Sequence, residues 1–262
     1  MAASGETPSV SVDGMAVLLS VNVARPHTAS YTDGLTGIDK RPAAGPVAVA
    51  APGPLATEST PGSGVAGDSV YYREHGGDDQ AVYAYAREDL DAWETELGRE
   101  LAGGAFGENM TTKGLDVSGA LIGERWRIGS AVVLEVTSPR IPCRTFAGWM
   151  AEQHWVKRFT LAAKPGAYFR VVVPGDIAAG DPIEVVSRPD HSVSVALLFR
   201  ALTTQRELAP QMVPALGAMN PLHAEAVRGR LLTGRSLSRT IPPQAACPLP
   251  GNGGDVLSPP CA

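Results

Sequence analysis

Short apolar runs separated by turn residues constrain the fold of this chain more than any other feature. From residue 15 the run "MAVLLSVNV" predicts a buried strand, and "ARPHTAS" follows it with residues typical of a turn. The 29 Gly and 22 Pro fall largely between such runs, a distribution that favours a turn-rich β protein. Further strand-like runs are predicted at residues 47–51, 82–85, 125–128, 132–136, 168–173 and 183–187.

Three segments of the sequence place a glycine and then an acidic residue between apolar residues. The segments are "VAGDSV" (65–70), "LIGERW" (121–126) and "AAGDPI" (178–183). Such a pair supplies a tight bend into a strand, although it is also a common turn dipeptide that recurs by coincidence. We predict a mainly β (α+β) fold: a closed or nearly closed β-barrel with peripheral helices.

Helical periodicity appears in three parts of the chain. Residues 86–101 place Leu90, Trp93, Leu97 and Leu101 on one face, and residues 146–163 form a second predicted helix. After about residue 192, three short amphipathic segments alternate with Pro or Gly. We predict a disordered extension at 1–14, a barrel domain at 15–190, a small C-terminal helical bundle at 191–235 and a disordered Pro/Gly-rich tail at 236–262.

Charge and composition narrow the classes of partner and the location. The net charge is −5 and the pI is about 5.6, so no general attraction to nucleic acid or to an anionic membrane is expected. No apolar run reaches the roughly 18 residues that span a bilayer, and residues 1–14 lack the features of a secretory signal. We expect a cytoplasmic protein. The chain has 3 cysteines, and two of them, Cys247 and Cys261, lie in the tail. An odd number of cysteines with this distribution does not indicate a disulfide framework.

Cys143 is the strongest candidate for a reactive or metal-binding residue. It ends the run "EVTSPRIPC" between Arg140 and Arg144, and nearby positive charge stabilises a thiolate that can attack or bind a soft metal. A lone cysteine is also commonly a small buried hydrophobe. Both interpretations remain open at this point.

Three further polar stretches hold candidate site residues, each with a structural alternative. His75 in "EHGG" is either an acid or a turn residue, and Asn109 in "FGEN" either recognises a heterocycle edge or forms a left-handed bend. Lys40 and Arg41 in "TGIDKRP" either hold a phosphate or lie on a solvated surface. The four cysteines that an iron–sulfur cluster needs are absent from the sequence.

Taken together, these segments resemble the MOSC domain family, named after the C-terminal part of molybdenum cofactor sulfurases, and in particular its YiiM-like branch. The resemblance covers roughly residues 15–235. It includes "LLSVNV", "TGIDKRP", "HGGDDQAVYAY", "FGENMTT", "GLDVSGALIGERWRIGSAVVLEVTSPRIPC" and "DIAAGDPIEVV" in this order. The tail from residue 236 has no counterpart in that pattern.

The resemblance implies a MOSC-type barrel followed by a helical bundle, and a pterin molybdenum cofactor whose metal is bound by Cys143. It implies reduction of N-hydroxylated substrates, hydroxylaminopurines or amidoximes, with Cys143 and His75 as catalytic residues. The cofactor-binding candidates are Lys40, Arg41, His75, Asn109, Arg140, Cys143 and Arg144. Electrons would come from a separate ferredoxin, flavoprotein or cytochrome-type partner, and a homodimer remains an open assembly state.

An alternative function uses the same thiol. Cys143 could carry a persulfide and transfer its sulfur to a metal–sulfur assembly. Full-length sulfurases have a separate pyridoxal-phosphate domain of several hundred residues, which 262 residues are too few to include beside the barrel. In this alternative we therefore expect the sulfur to come from a partner protein.

Overall fold

A computed structural model describes residues 15–55, 62–71 and 76–233 of the chain. The described strands are β1 (Ala16–Ala24), β2 (His27–Thr28), β3 (Leu35–Thr36), β4 (Lys40–Pro42), β5 (Val47–Val49), β6 (Val82–Ala86), β7 (Met110–Lys113), β8 (Arg125–Ile128), β9 (Val132–Pro139), β10 (Ala167–Val173), β11 (Gly175–Ile177) and β12 (Pro182–Ser187). The α-helices are α1 (Arg87–Leu97), α2 (Arg144–Met150), α3 (Trp155–Ala162), α4 (Val195–Thr203) and α5 (Pro221–Thr233), and 3₁₀ helices span Asp78–Gln80 and Arg206–Ala215.

Seven of these strands close into a barrel, which confirms the predicted fold class. The order around the barrel is β12, β8, β9, β10, β6, β7 and β1, and β1 pairs back with β12. The pair β6 and β7 is parallel and is connected through α1, whereas the other neighbouring pairs in the barrel are antiparallel. β4 extends the sheet beyond β1, and β5 pairs with β11 outside the barrel.

The glycines of the three recurring Gly-acid pairs all adopt a left-handed backbone. Their φ values are 77° at Gly67, 90° at Gly123 and 94° at Gly180. Gly123 and Gly180 lie just before β8 and β12, as the bend prediction requires. Gly67 instead leads into a loop, where the following acidic residue, Asp68, turns toward the site described below.

β6 separates two hydrophobic clusters because all five of its residues are buried. Val82 and Ala84 point into the barrel core, while Tyr83 and Tyr85 point to an aromatic cluster on the other face. This aromatic cluster packs α1, α2, α3 and α4 against the barrel wall through Trp93, Phe106, Phe146, Trp155, Phe159 and Phe199.

The helices are shorter than the sequence predicts. The predicted helix at 146–163 is two helices, because Ala151 and His154 take left-handed φ values of 55° and 56°. The break lets Phe146 of α2 meet Trp155 of α3 edge-on, with ring centroids 5.4 Å apart. Likewise α1 ends at Leu97, where Gly98 adopts a φ of 65°.

The C-terminal segment packs on the barrel through α4, α5 and the 3₁₀ helix between them. Pro210 and Pro214 lie inside that 3₁₀ helix, and their missing N–H groups disfavour an α-helix there. Buried side chains such as Leu198 and Val227 belong to the same hydrophobic cluster as the barrel interior. The domain boundaries at 190 and 235 stay predictions. The segments 1–14 and 236–262, predicted to be disordered, lie outside the described residues.

None of the helices within the described ranges combines the length and the apolar character needed to cross a bilayer.

Candidate functional site

Several of the loops singled out in the sequence converge on one pocket of about 90 Å³. The "TGIDKRP", "AGD", "FGEN" and "SPRIPC" segments each contribute side chains to it, and β6 and β10 contribute the rings of two tyrosines. Its lining residues are Thr36, Gly37, Ile38, Lys40, Ser63, Asp68, Ser69, Val70, Tyr71, Gly76, Gln80, Tyr83, Gly107, Asn109, Arg140, Cys143, Thr145 and Tyr168.

Asp68 is the centre of the hydrogen-bond network in this pocket. Its side chain is 1% exposed and accepts hydrogen bonds from the Ala24 amide (2.9 Å) and the Ser63 hydroxyl (2.8 Å). It also accepts from the Asn109 amide nitrogen at 2.8 Å and forms an ion pair with the Lys40 ammonium. The loop that carries Asp68 is thereby tied to three other segments of the chain.

Lys40 is a buried cation that this carboxylate neutralises. Its side chain is 8% exposed at the start of β4. Burial lowers the pKa of the Lys40 ammonium below its usual value, and the charge and hydrogen bond of Asp68 oppose part of that shift. The predicted alternative of a solvated surface lysine is therefore wrong for Lys40.

Asn109 lines the pocket, yet most of its amide is engaged within the protein. Its oxygen accepts from the Tyr83 amide at 3.2 Å, and its nitrogen donates to the Asn22 carbonyl at 3.2 Å and to Asp68. Asn109 therefore joins β1 and β6 to the pocket wall. Its predicted contact with a cofactor or substrate stays a prediction.

Arg140 brings a second buried positive charge to the pocket. It is 7% exposed, and one terminal nitrogen donates to the Phe106 carbonyl at 3.0 Å. The guanidinium carbon lies 4.1 Å from the ring centroid of Phe146 and 5.3 Å from that of Tyr83. Burial alone would lower the pKa of Arg140, but the electrostatic influence of Tyr168, Tyr83 and Cys143 outweighs it and the pKa is raised.

Cys143 lines the same pocket and is half-buried. It is the residue that precedes α2, where it has an extended backbone and its carbonyl accepts from the Ala147 amide at 3.0 Å. Cys143 and Arg140 line the same pocket, and Cys143 also packs against the aromatic cluster. Its predicted role as a reactive thiol and metal ligand stays a prediction.

Two of the predicted cofactor-binding residues lie elsewhere. Arg41 pairs with Asp39 at 2.6 Å and lines a second pocket of about 280 Å³ together with Arg99. Arg144 is 41% exposed and contacts Asp33 at 3.4 Å. Each directly follows a pocket residue in sequence, yet neither lines the pocket that holds Cys143.

His75 lies outside the described residues. The residues that border its gap, Tyr71 and Gly76, both line the pocket. Its predicted role as an acid stays a prediction.

Sequence reasoning missed four residues that shape the site. Glu108 is fully buried and accepts from the amides of Gly104 (2.7 Å) and Phe106 (2.9 Å), so it holds the "FGEN" loop closed. Burial raises the pKa of its carboxyl. The acidic residue of the recurring Gly-acid pair was the available signal for Asp68. The other missed residues, Tyr83 and Tyr168, have ring centroids 4.9 Å apart and pKa values raised by burial.

Within the described part of the chain, no group of three or more His, Cys, Asp or Glu side chains is arranged to hold a metal ion.

Comparison with known proteins places this fold and these motifs in one family. The model of the MOSC domain matches residues 71–184. Uncharacterized protein YflK of Bacillus subtilis (strain 168) is 38% identical over 186 residues, which are 70% of this chain and 79% of that protein. The crystal structure of YiiM from Geobacillus stearothermophilus matches with a TM-score of 0.66 at 30% identity, covering 82% of this chain and 99% of that one.

A fungal protein gives a further match. A protein named Reductase from Gibberella moniliformis is 31% identical over 153 residues, which are 57% of this chain. The match spans 27% of the length of that protein, so its activity as a whole is not transferred. From the barrel, the shared motifs and the extent of the YflK and YiiM matches, we conclude that this chain belongs to the MOSC domain family.

Proposed function

We propose that this protein binds a pterin molybdenum cofactor through Cys143 and reduces N-hydroxylated substrates, hydroxylaminopurines or amidoximes, to amines or amidines. The observation that carries the proposal is the pocket itself, where a half-buried thiol lies with two buried cations, Lys40 and Arg140. The fungal relative named Reductase supports the class of reaction.

The residues of the pocket fit the chemistry of such a group. A cysteine sulfur is a soft ligand suited to molybdenum, and Arg140 brings a positive charge to the same pocket. When bound, the cofactor supplies a metal that exchanges two electrons with the substrate. The pocket of about 90 Å³ is smaller than the ~300–1,000 Å³ of pockets that enclose drug-sized ligands, so it would enclose part of the cofactor.

The reaction needs protons as well as electrons. Reducing a hydroxylamine to an amine breaks the N–O bond, consumes two electrons and two protons, and releases water. In the proposed site His75 donates a proton to the departing oxygen, and the ring pair of Tyr83 and Tyr168 forms an aromatic wall suited to a flat substrate. The electrons come from a separate ferredoxin, flavoprotein or cytochrome-type donor.

Metal and pterin analysis of the purified protein tests the proposal. Protein made in a host that synthesises the cofactor is expected to contain about one molybdenum and one pterin per chain, and to reduce a hydroxylaminopurine with an added chemical reductant. Cys143→Ala is expected to lose both metal and reduction, because the sulfur ligand is gone. The matched control, Cys247→Ala, removes a thiol of the tail and is expected to keep both.

Two outcomes would contradict the proposal. Unchanged metal content and reduction in Cys143→Ala would remove Cys143 from the site. An intact mass higher by one sulfur atom on Cys143, without metal, would instead support the persulfide alternative.

A further inference from the structure

Arg140 differs from the other buried cation of the pocket in how its charge is neutralised. Lys40 pairs with the carboxylate of Asp68. Among residues 15–55, 62–71 and 76–233, no carboxylate oxygen lies within 4.0 Å of the Arg140 guanidinium. Its Nε is buried and has no hydrogen-bond partner among those residues. Within the described part of the chain, this guanidinium therefore has unused hydrogen-bonding capacity.

The guanidinium is held in place rather than free to turn to solvent. One terminal nitrogen donates to the Phe106 carbonyl at 3.0 Å, and the group lies over Phe146 with 4.1 Å between its carbon and the ring centroid. Arg140 lines the pocket in this orientation. A fixed, planar set of N–H donors is the geometry that proteins use to bind oxoanions.

A buried charge without a counter-charge is costly, and a ligand that supplies the counter-charge recovers part of that cost. Tyr83 and Tyr168 of the pocket wall supply no negative charge at neutral pH, because burial raises the pKa of both phenols. The buried carboxyl of Glu108 also acts on Arg140, although it forms no ion pair with it. The described carboxylate of the pocket, Asp68, already pairs with Lys40. An anionic ligand would therefore gain most by binding at Arg140.

We propose that Arg140 forms an oxoanion-binding subsite beside Cys143, able to take a phosphate or sulfate group in the absence of any cofactor. The pocket volume of about 90 Å³ exceeds several-fold the ~10–15 Å³ that a single water requires, so a small tetrahedral oxoanion fits. The subsite goes beyond the proposed reduction because it rests on the burial and the unpartnered Nε of Arg140, and not on the presence of molybdenum. The anion is either the phosphate of the cofactor or an anionic group of the substrate.

Titration of cofactor-free full-length protein tests the subsite directly. Protein from a host unable to make the cofactor is titrated with sulfate and with inorganic phosphate by calorimetry, at constant ionic strength set with chloride. We expect saturable binding of one anion per chain. Arg140→Met keeps the apolar stem and is expected to weaken binding at least tenfold.

The matched control is Arg127→Met on β8. Arg127 is 44% exposed, pairs with Glu184 and lies outside the pocket, so its loss is expected to leave the affinity unchanged. If Arg140→Met does not fold, as judged by near-UV circular dichroism, Arg140→Lys replaces it; this variant keeps the charge but loses the planar fork, and is expected to bind more weakly than wild type. Equal affinity in wild type and the folded Arg140 variant, or binding that never saturates, would overturn the proposal.

A second arm identifies the source of the anion. If sulfate no longer binds to cofactor-loaded protein, the cofactor occupies the subsite with its phosphate. If sulfate still binds and competes with the substrate, the subsite recognises the substrate. Absence of molybdenum or of reduction would defeat the proposed function while leaving the cofactor-free titration fully interpretable, so the two failures are distinguishable.

Discussion

The pairing of Lys40 with Asp68 dominates the site at the scale of single residues. Both side chains are more than nine-tenths buried, and Asp68 also accepts from Ser63, Asn109 and the Ala24 amide. Each of these groups would lose its partner together with the carboxylate. A single acidic residue thus holds one wall of the pocket, although its position in a Gly-acid turn gives little sign of that role.

Asp68→Asn is therefore expected to lower the free energy of unfolding by about 3–5 kcal/mol, because it leaves the Lys40 ammonium buried without a counter-charge. Urea denaturation at neutral pH measures the change. The control is Asp91→Asn. The Asp91 carboxylate is 61% exposed and pairs with Arg87, so losing this ion pair is expected to cost less than about 1 kcal/mol. Similar losses for the two variants would contradict the structural role assigned to Asp68.

The loop between α1 and β7 is the element that closes the site. Glu108 accepts from two amides of its own loop, and Gly104 packs directly against the Lys40 backbone. At Gly104 the backbone φ is 87°, and an added Cβ would lie 2.3 Å from the Lys40 carbonyl oxygen. This close approach aligns the "FGEN" and "TGIDKRP" segments with each other.

Gly104→Ala is expected to destabilise the protein by about 2–5 kcal/mol, since a left-handed alanine costs about 1–2 kcal/mol and the clash with Lys40 adds a further ~1–3 kcal/mol. Thermal or urea unfolding measures the effect. Gly98→Ala is the control and measures the cost of a left-handed alanine without a clash. Gly98 has a φ of 65°, and no atom lies within 4 Å of an added Cβ. An equal cost at both positions would mean that the loop gives way without strain.

The whole molecule is held together by a core that the barrel shares with α4 and α5. His223 is a titratable residue near the start of α5. Its Nδ1 is buried and lacks a hydrogen-bond partner among the described residues. Burial, with a smaller contribution from the positive charge of Arg230, lowers the pKa of His223 to about 4.

Stability is expected to fall as the pH drops from about 6.5 toward 4. In that range the unfolded chain binds a proton at His223 and the folded protein does not, so acid favours unfolding. Above about pH 6.5 both states are neutral at this position and the effect vanishes. Unfolding free energies measured between pH 4 and 7.5 in wild type and His223→Gln are expected to show a shallower pH dependence in the variant.

His154→Asn is the control for this measurement. His154 is exposed and has a left-handed backbone that asparagine tolerates. Its loss is expected to leave the pH dependence as in wild type. A wild-type slope in His223→Gln would show that other groups cause the acid sensitivity.

The sequence by itself determined the β-barrel class, most of the barrel strands and the segments that meet at the pocket. Alternating apolar residues and Gly-acid bends are local signals, because they follow from the two-residue period of a strand and from the backbone freedom of glycine. The order of the motifs around Cys143 could also be identified from the sequence. Motifs such as "TGIDKRP" and "SPRIPC" are recognised from their residues alone, without a structure.

Only the tertiary structure decided which charged side chains meet. Lys40 and Arg41 are neighbours in sequence, yet one is buried on Asp68 and the other pairs with Asp39 in a different pocket. Arg140 enters the pocket, whereas Arg144 turns to solvent. Adjacent side chains of the extended β4 point to opposite sides, which separates Lys40 from Arg41. For Arg140 and Arg144 the difference lies in the partners, because the free energy of a buried charge depends on groups that distant loops bring to it.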